Sequence, residues 1–300
     1  MFHNFEEIEE ALEGVQVKRR VVLAGAGDEV SVQALVRAAR AGYAEPILVG
    51  KAAEVEAVLS GMGEDPGEYR IVDAATQNKC ARTALSMIAD GEADIPMKGL
   101  IQTSQFLMAL RFSGFADPDS IISGCTIFHY RQGDRLIALG DCAMTIAPTL
   151  DEKVKITRNL AGVMRSLGAN PVRVAELSAL ESPEPHMPSS MEARELAEMD
   201  WGDDMVVEGP LALDNALDAG AAAHKGIESQ VAGQVDVLVV PNIETGNVLH
   251  KAANFFGEYE MAGLVAGITI PAVMCSRADS VETKYHSILT ATMMSLAAEA

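Results

Sequence analysis

The chain has 300 residues, with 23 Lys and Arg against 43 Asp and Glu, for a formal net charge of −20. Such an acidic protein is a poor partner for nucleic acid or an anionic membrane, although a few local cations suffice to hold a small anion. Its 49% hydrophobic and 22% charged residues are those of a soluble globular protein with room for two domains. No apolar run reaches the roughly 18 residues that a spanning helix needs. Cys80, Cys125, Cys142 and Cys275 form no C-x-x-C pair, which points to reduced thiols in the cytoplasm.

In chain order, MFHNFEEIEEALEG is acidic and amphipathic. Phe5, Ile8, Leu12 and Val15 recur at helical spacing, which predicts a surface helix rather than a signal peptide. KRRVVLAGAGDEVSVQALVRAARAGYAEPILVG reads as strand, glycine loop, helix and strand. Gly25 and Gly27 begin a dinucleotide-type fingerprint, but Val30 stands at the third glycine position, so a tight turn is the expected role. Ala52 to Met62 predicts a second helix and IVDAA a third strand, and the spacing of Cys80, Ala84, Met87 and Ile88 predicts a third helix. A short strand ending at Met97 and a Lys98-Gly99 turn then lead to a helix with Thr103 or Ser104 as N-cap.

SIISGCTIFHY and DRLIALGD, joined by RQGD, predict a hairpin that ends at Asp141. A long helix follows in APTLDEKVKITRNLAGVMRSLGA, with a domain boundary just before it. RVAELSAL predicts a strand, ESPEPHMPSS an irregular loop, and Ser189 to Met199 a helix. MVVEGP, LALDNALDAGAA and HKGIESQVAG predict a strand, a helix and a further helical segment. VDVLVV, the polar turn PNIETGN, the helix VLHKAANFF and the strand ITIPAVMCS then predict a βαβ unit. That unit would put PNIETGN and SRADS on one rim of a parallel sheet. The last helix runs from Val281 to about Ala298, with Asp279 as its cap in capping-box spacing to Glu282. Strands and helices alternating in this way predict an α/β architecture.

Arg277 stands between a strand end and a helix N-terminus. A guanidinium, free backbone N–H groups and the helix dipole all favour an oxyanion there, and Ser276 adds a hydroxyl. The alternative for Arg277 is a structural ion pair with Glu244 or Asp279. Lys98 at a strand end reads either as an anion ligand or as a solvated lysine. No G-x-S-x-G, H-E-x-x-H or Cys/His cluster occurs, so neither a catalytic triad nor a metal is expected. His186 and His250 are the histidines worth following. Cys275 is expected to be a core thiol rather than a thiolate favoured by Arg277.

Six stretches occur in order over about Asp94 to Ala300: ADIPMKGLIQT, GDCAMTIAP, HMPSSMEARELAEM, VEGPLALDNA, KGIESQVAGQVDVLVVPNIETGNVLHK and AGLVAGITIPAVMCSRADS. Together they resemble the phosphate acetyl/butyryl transferases, including the phosphate acyltransferase part of bifunctional enoyl-CoA hydratase proteins. The resemblance implies a two-domain isocitrate/isopropylmalate dehydrogenase-like α/β fold with an interdomain cleft. Domain I would comprise 1–142 and 274–300, and domain II 143–273. It implies the reversible reaction of acyl-CoA with phosphate to give acyl phosphate and CoA, for butyryl or another short acyl chain. No cofactor or metal is implied, CoA being substrate or product. The implied protein is a cytoplasmic homodimer or higher homo-oligomer whose partners are acyl-CoA, phosphate and acyl phosphate, not nucleic acid or membrane.

By the same resemblance Ser276 and Arg277 bind phosphate. Lys98, Gly99 and Thr103 match the family's Lys-Gly-x-x-x-Thr turn. Asn242, Glu244, Gly246 and Asn247 match its loop after the buried strand, and Asp141 matches the acid before A-x-x-I-A-P. The acetyl-specific branch has an Asp base six residues after the Arg. Thr283 stands there in this chain, which leaves Asp279 and Glu282 as the neighbouring carboxylates. Gln102-Thr103-Ser104 replaces His-Thr-Asp and Thr145 replaces Asn, and both changes favour the butyryl or broader-acyl branch. Two alternatives compete with this reading. One is an NAD(P)- and metal-dependent oxidoreductase on the same fold, which needs a carboxylate cluster. The other is a non-catalytic protein that binds acyl phosphate or CoA, supported by the altered base position.

Overall fold

The computed structural model describes residues 1–15 and 18–299. The strands are β1 (Arg19–Ala24), β2 (Ala44–Gly50), β3 (Arg70–Asp73), β4 (Ile95–Lys98), β5 (Ser123–Tyr130), β6 (Arg135–Gly140), β7 (Val172–Leu177), β8 (Met205–Leu211), β9 (Val237–Val239), β10 (Met261–Ala266) and β11 (Ala272–Met274). The α-helices are α1 (Phe5–Glu13), α2 (Glu29–Arg40), α3 (Ala52–Gly61), α4 (Gln77–Ala89), α5 (Thr103–Phe112), α6 (Leu150–Ser166), α7 (Pro188–Ala197), α8 (Leu213–Leu217), α9 (Ala219–His224), α10 (Ile243–Phe255) and α11 (Val281–Ala297). None of the described helices is long and apolar enough to cross a membrane.

The chain divides into two compact units. The first comprises Phe5–Pro118 and Met261–Ala300. Its strands lie in the order β3-β2-β1-β4-β11-β10. All neighbours are parallel except β10, which runs antiparallel to β11. The chain winds outward from β1 through β2 to β3, then returns to place β4 on the other side of β1. That reversal creates a switch point between the carboxyl ends of β1 and β4. β1 pairs with β2 on one side and β4 on the other, and its Val21, Val22, Leu23 and Ala24 are all buried, as in a strand covered on both faces. Helix α11 packs on β10, α2 and α1. Phe5 of α1 stacks on His286 at 4.3 Å between ring centroids, so the N-terminal helix is docked by its Phe5, Ile8 and Leu12 face.

The second unit comprises Met1–Asn4 and Asp119–Glu260, with strand order β5-β6-β9-β7-β8. β5 and β6 form the expected antiparallel hairpin, and β6, β9, β7 and β8 run parallel. The hairpin belongs here because β6 pairs with β9 from Ala138↔Val237 to Gly140↔Val239. The units therefore divide at 118/119 and 260/261, rather than at the expected 142/143 and 273/274. Helix α6 starts with a capping box. Thr149 Oγ1 accepts from Glu152 N, and the Glu152 carboxylate accepts from Thr149 N at 2.8 Å.

Several local expectations are corrected. β9 and β11 do not form one βαβ unit. β9 pairs with β6 and β7 in the second unit, whereas β11 pairs with β4 and β10 in the first. The strand MAGLVA, which was not anticipated, intervenes as β10. PNIETGN is not wholly a turn, because Asn242 caps α10 and the helix starts at Ile243. GIESQVAG is not helical. Gly226 and Gly233 have positive φ there, and Ser229 Oγ accepts from the N–H groups of Val231 and Ala232 at 3.0 and 2.8 Å. Helix α5 begins at Thr103 with Gln102 in the cap position and no side-chain capping bond.

One buried acid in the second unit leads to a prediction. Glu176 on β7 is 3% exposed and accepts from Thr157 Oγ1 at 2.7 Å. Burial raises its carboxyl from 4.5 to about 7. The native state therefore binds the proton more tightly than the unfolded chain, and stability contributed here is lost as pH rises from 4.5 through about 7. Glu176→Gln mimics the protonated acid. It is expected to stabilise the protein at pH 8 by up to about 3 kcal/mol and to have little effect at pH 4. Urea unfolding at the two pH values measures this difference.

Candidate functional site

In the first unit, β4 and β11 lie side by side in parallel, with Lys98 in register with Met274. This pairing brings the end of IPMK to the start of CSRADS, although the two are far apart in sequence. Gly99 closes the turn after β4. Its N–H donates to Ala24 O at 2.9 Å, and Leu100 N–H donates to Gly25 O at 2.8 Å. A Cβ at position 99 would lie 2.5 Å from Gly25 O, so only glycine allows the ends of β4 and β1 to meet.

Lys98 is not a solvated lysine. It is 3% exposed, and among the described residues its ammonium makes one hydrogen bond, of 3.3 Å, to Gly99 O. Burial lowers its pKa below the ordinary lysine value, and the nearby charges of Arg277 and Lys284 lower it further. A buried ammonium with a single long hydrogen bond retains N–H groups that an anion can use.

Ser276 to Asp279 form a tight turn in which Asp279 N–H donates to Ser276 O at 3.2 Å. The Asp279 carboxylate accepts from Ser276 N–H at 2.7 Å and so fastens the turn from the other side. Arg277 sits at the exposed corner, without an ion pair or hydrogen bond among the described residues. Within this unit, the alternative of a structural ion pair to Asp279 therefore does not hold. Asp279 is not the helix cap either. Ser280 caps α11 by accepting from Thr283 N–H at 3.1 Å. Glu282 pairs with Arg37 of α2 and with His286 at 3.2 Å, and so is tied into helix packing. Thr103, at the first position of α5, is exposed. Cys275 is a core thiol, hydrogen-bonded to Ser287 Oγ at 3.1 Å and pushed up to about 11 by burial.

Lys284 was not anticipated. It is 2% exposed, and its ammonium donates to Ser276 O at 3.1 Å and Asp279 O at 2.9 Å. One signal was available in the sequence. Lys284 follows SRADS by one helical turn, and no Lys, Arg, Asp or Glu occurs between it and Glu299.

The remaining predicted residues lie in the second unit. Asp141 is 2% exposed, and its carboxylate is occupied by backbone. Oδ1 accepts from Ala143 N at 2.9 Å, Met144 N at 3.0 Å and Gly124 N at 3.2 Å, and Oδ2 accepts from Thr145 N at 3.0 Å. Asp141 thus shapes the loop after β6. Asp141→Asn places an N–H₂ group where N–H donors converge, and it is expected to cost about 2–4 kcal/mol in urea unfolding. Gly246 permits close packing of α10 on that loop, since a Cβ would lie 2.7 Å from Asp141 O. Asn247 Nδ2 donates to Cys142 O at 3.3 Å, and Asn242 Oδ1 accepts from Thr245 N at 2.9 Å. His250 Nδ1 and Thr126 Oγ1 are 3.1 Å apart, whereas His186 is exposed beside Glu184.

Asn242 and Glu244 line a cavity of about 1030 Å³ with Leu177, Met187, Leu213 and Leu249. The Lys153–Glu192 ion pair, at 2.5 Å, adds a polar spot to its wall. The cavity lies at the carboxyl ends of β7 and β9, where ligands bind in parallel sheets. No group of three metal-ligating side chains occurs among the described residues.

A doubly wound sheet whose carboxyl rim carries Lys98, Ser276 and an Arg277 unpaired among the described residues defines an α/β protein that handles oxyanions. The Phosphate acetyl/butaryl transferase family profile matches residues 76–292. The chain is 37% identical to the phosphate butyryltransferase of Clostridium acetobutylicum, over 98% of this chain and 99% of that protein. It is 32% identical to the phosphate acetyltransferase of Thermotoga maritima, over 90% and 93%. Among solved structures, a branched-chain phosphotransacylase from Enterococcus faecalis matches with a TM-score of 0.81 and 31% identity, over 92% of this chain and 99% of that one. The chain therefore belongs to the phosphate acetyl/butyryl transferase family and is a phosphate acyltransferase.

The expected isocitrate/isopropylmalate dehydrogenase-like fold is corrected by the same comparisons. Three solved structures that match with TM-scores of 0.81, 0.78 and 0.77 are phosphotransacylases. A dehydrogenase, the 4-hydroxythreonine-4-phosphate dehydrogenase of Klebsiella pneumoniae, reaches a TM-score of only 0.52 at 13% identity. Alternating strands and helices are common to many α/β proteins and do not by themselves determine how the elements are arranged. The oxidoreductase alternative loses its ground with that fold.

Proposed function

We propose that this protein converts acyl-CoA and inorganic phosphate to acyl phosphate and CoA, with butyryl or a similarly short acyl group. A phosphate oxygen attacks the thioester carbonyl, the carbon–sulfur bond breaks, and the CoA sulfur takes up the proton that phosphate gives up. No redox step or further cofactor enters this balance. Arg277 holds phosphate through its guanidinium fork, Ser276 through its hydroxyl, and Lys98 through the N–H groups left free by its single long hydrogen bond. The observation that carries this reading is the buried Lys98 ammonium next to a turn whose arginine has no partner among the described residues. Neither Asp279 nor Glu282 is assigned as the base, because each carboxylate is engaged elsewhere.

The test mixes the protein with butyryl-CoA and a thiol reagent, with and without phosphate. Thiol release that requires phosphate and rises with its concentration is the expected result. Binding of butyryl-CoA without release would leave a non-catalytic binder in its place. An acetyl-to-octanoyl panel then sets the acyl preference, with butyryl expected to exceed both ends.

A further inference from the structure

The Ser276–Asp279 turn has three fastenings. Two are internal: Asp279 N–H to Ser276 O, and Ser276 N–H to the Asp279 carboxylate. The third comes from outside the turn. Lys284 spans its two ends, donating from one ammonium to the carbonyls of Ser276 and Asp279 at 3.1 and 2.9 Å. Elementary electrostatics argues against a lysine in this place. It is 2% exposed, so its charge is taken out of water. It lies in the second turn of α11, near the positive end of the helix dipole. It also stands near a second buried cation, Lys98, whose pKa its charge lowers. The two carbonyls offset these costs only if they are held in place, so the lysine and the turn order each other.

We propose that Lys284 is a positioning residue for phosphate, clamping both ends of the Ser276–Asp279 turn so that Ser276 and Arg277 are held ready for the anion. This rests on the proposed reaction at the same site. Lys284 does not touch phosphate in this assignment. It acts through the turn, and its charge adds to the positive potential there.

The test uses Lys284→Gln and Lys284→Arg in the full chain, with steady-state rates in phosphate and in butyryl-CoA and a thermal midpoint for each variant. Gln keeps a donor but loses the charge and the two-point clamp. Its phosphate KM is expected to rise about tenfold or more, with the butyryl-CoA KM within about twofold of wild type. Arg keeps the charge but is a longer fork, so its phosphate KM is expected to rise about threefold. A phosphate KM within about twofold of wild type in either variant overturns the proposal. So does an equal rise in both KM values that tracks a lowered midpoint, which is the mark of a merely structural lysine. Should Lys284→Gln not fold, Lys284→Arg alone decides by the same criterion. Absence of phosphate-dependent thiol release from the wild-type protein would instead show that the reaction itself is misassigned.

Discussion

Arg277→Ala is expected to lower kcat/KM for phosphate by about a hundredfold to a thousandfold while the thermal midpoint stays within a degree or two of wild type. The reasoning separates function from fold. Arg277 sits at the corner of a tight turn, exposed and unpartnered among the described residues, so truncation breaks no native contact that would cost stability. A guanidinium that binds an oxyanion in a bidentate manner contributes charge and geometry together. Arg277→Lys should therefore recover only part of the activity, because an ammonium lacks the fork. Initial rates of phosphate-dependent CoA release, with calorimetry on the same samples, measure both halves. If kcat and the phosphate KM of Arg277→Ala both match wild type, this residue is not the phosphate clamp.

Lys98→Met should also lose activity, about a hundredfold, but with stability unchanged or raised. The side chain is buried with one long hydrogen bond, and burial holds its pKa below the ordinary lysine value of 10.5. A depressed lysine pKa means that the unfolded chain binds the proton more tightly. The cost to the native state is full at pH values below the folded pKa, and it disappears as pH rises from that value toward 10.5. Methionine fills a similar volume without the charge, and replacing a buried charge by a well-packed apolar group is often neutral or stabilising. The stability advantage of Lys98→Met should then be larger at pH 7 than at pH 10, read by urea unfolding at both. A variant that is active but less stable at pH 7 would make Lys98 a structural cation.

Much of the local structure is legible in the sequence. The apolar run VVLA in β1, the long helix α6 and the hairpin around RQGD depend on neighbours close along the chain. Short-range sterics and hydrogen bonds determine such features, and the residues that make them are adjacent in the text. Local reading failed where a nearby segment had an equally good local alternative. Asp279 and Ser280 can both cap a helix, and only the capture of the Asp279 carboxylate by Ser276 N–H separates them. Asn242 marks the start of α10 correctly by type, yet the helix absorbs residues that a glycine made look like a turn. Gly246 is needed for a close approach to Asp141, which no local pattern announces.

The site follows the same division. The sequence by itself determined that this is an α/β chain, that Arg277 and Ser276 lie between a strand and a helix, and that a Lys-Gly turn ends another strand. It did not determine that β11 would pair with β4, because strand order depends on which apolar faces find each other across long separations. Only that pairing brings Lys98 to the SRADS turn, buries it, and reveals Lys284 as the clamp beneath. Charge and hydroxyl chemistry are properties of single residues and survive in a linear text. Burial, hydrogen-bond satisfaction and mutual repulsion are properties of neighbours in space, and they exist only once the chain has folded.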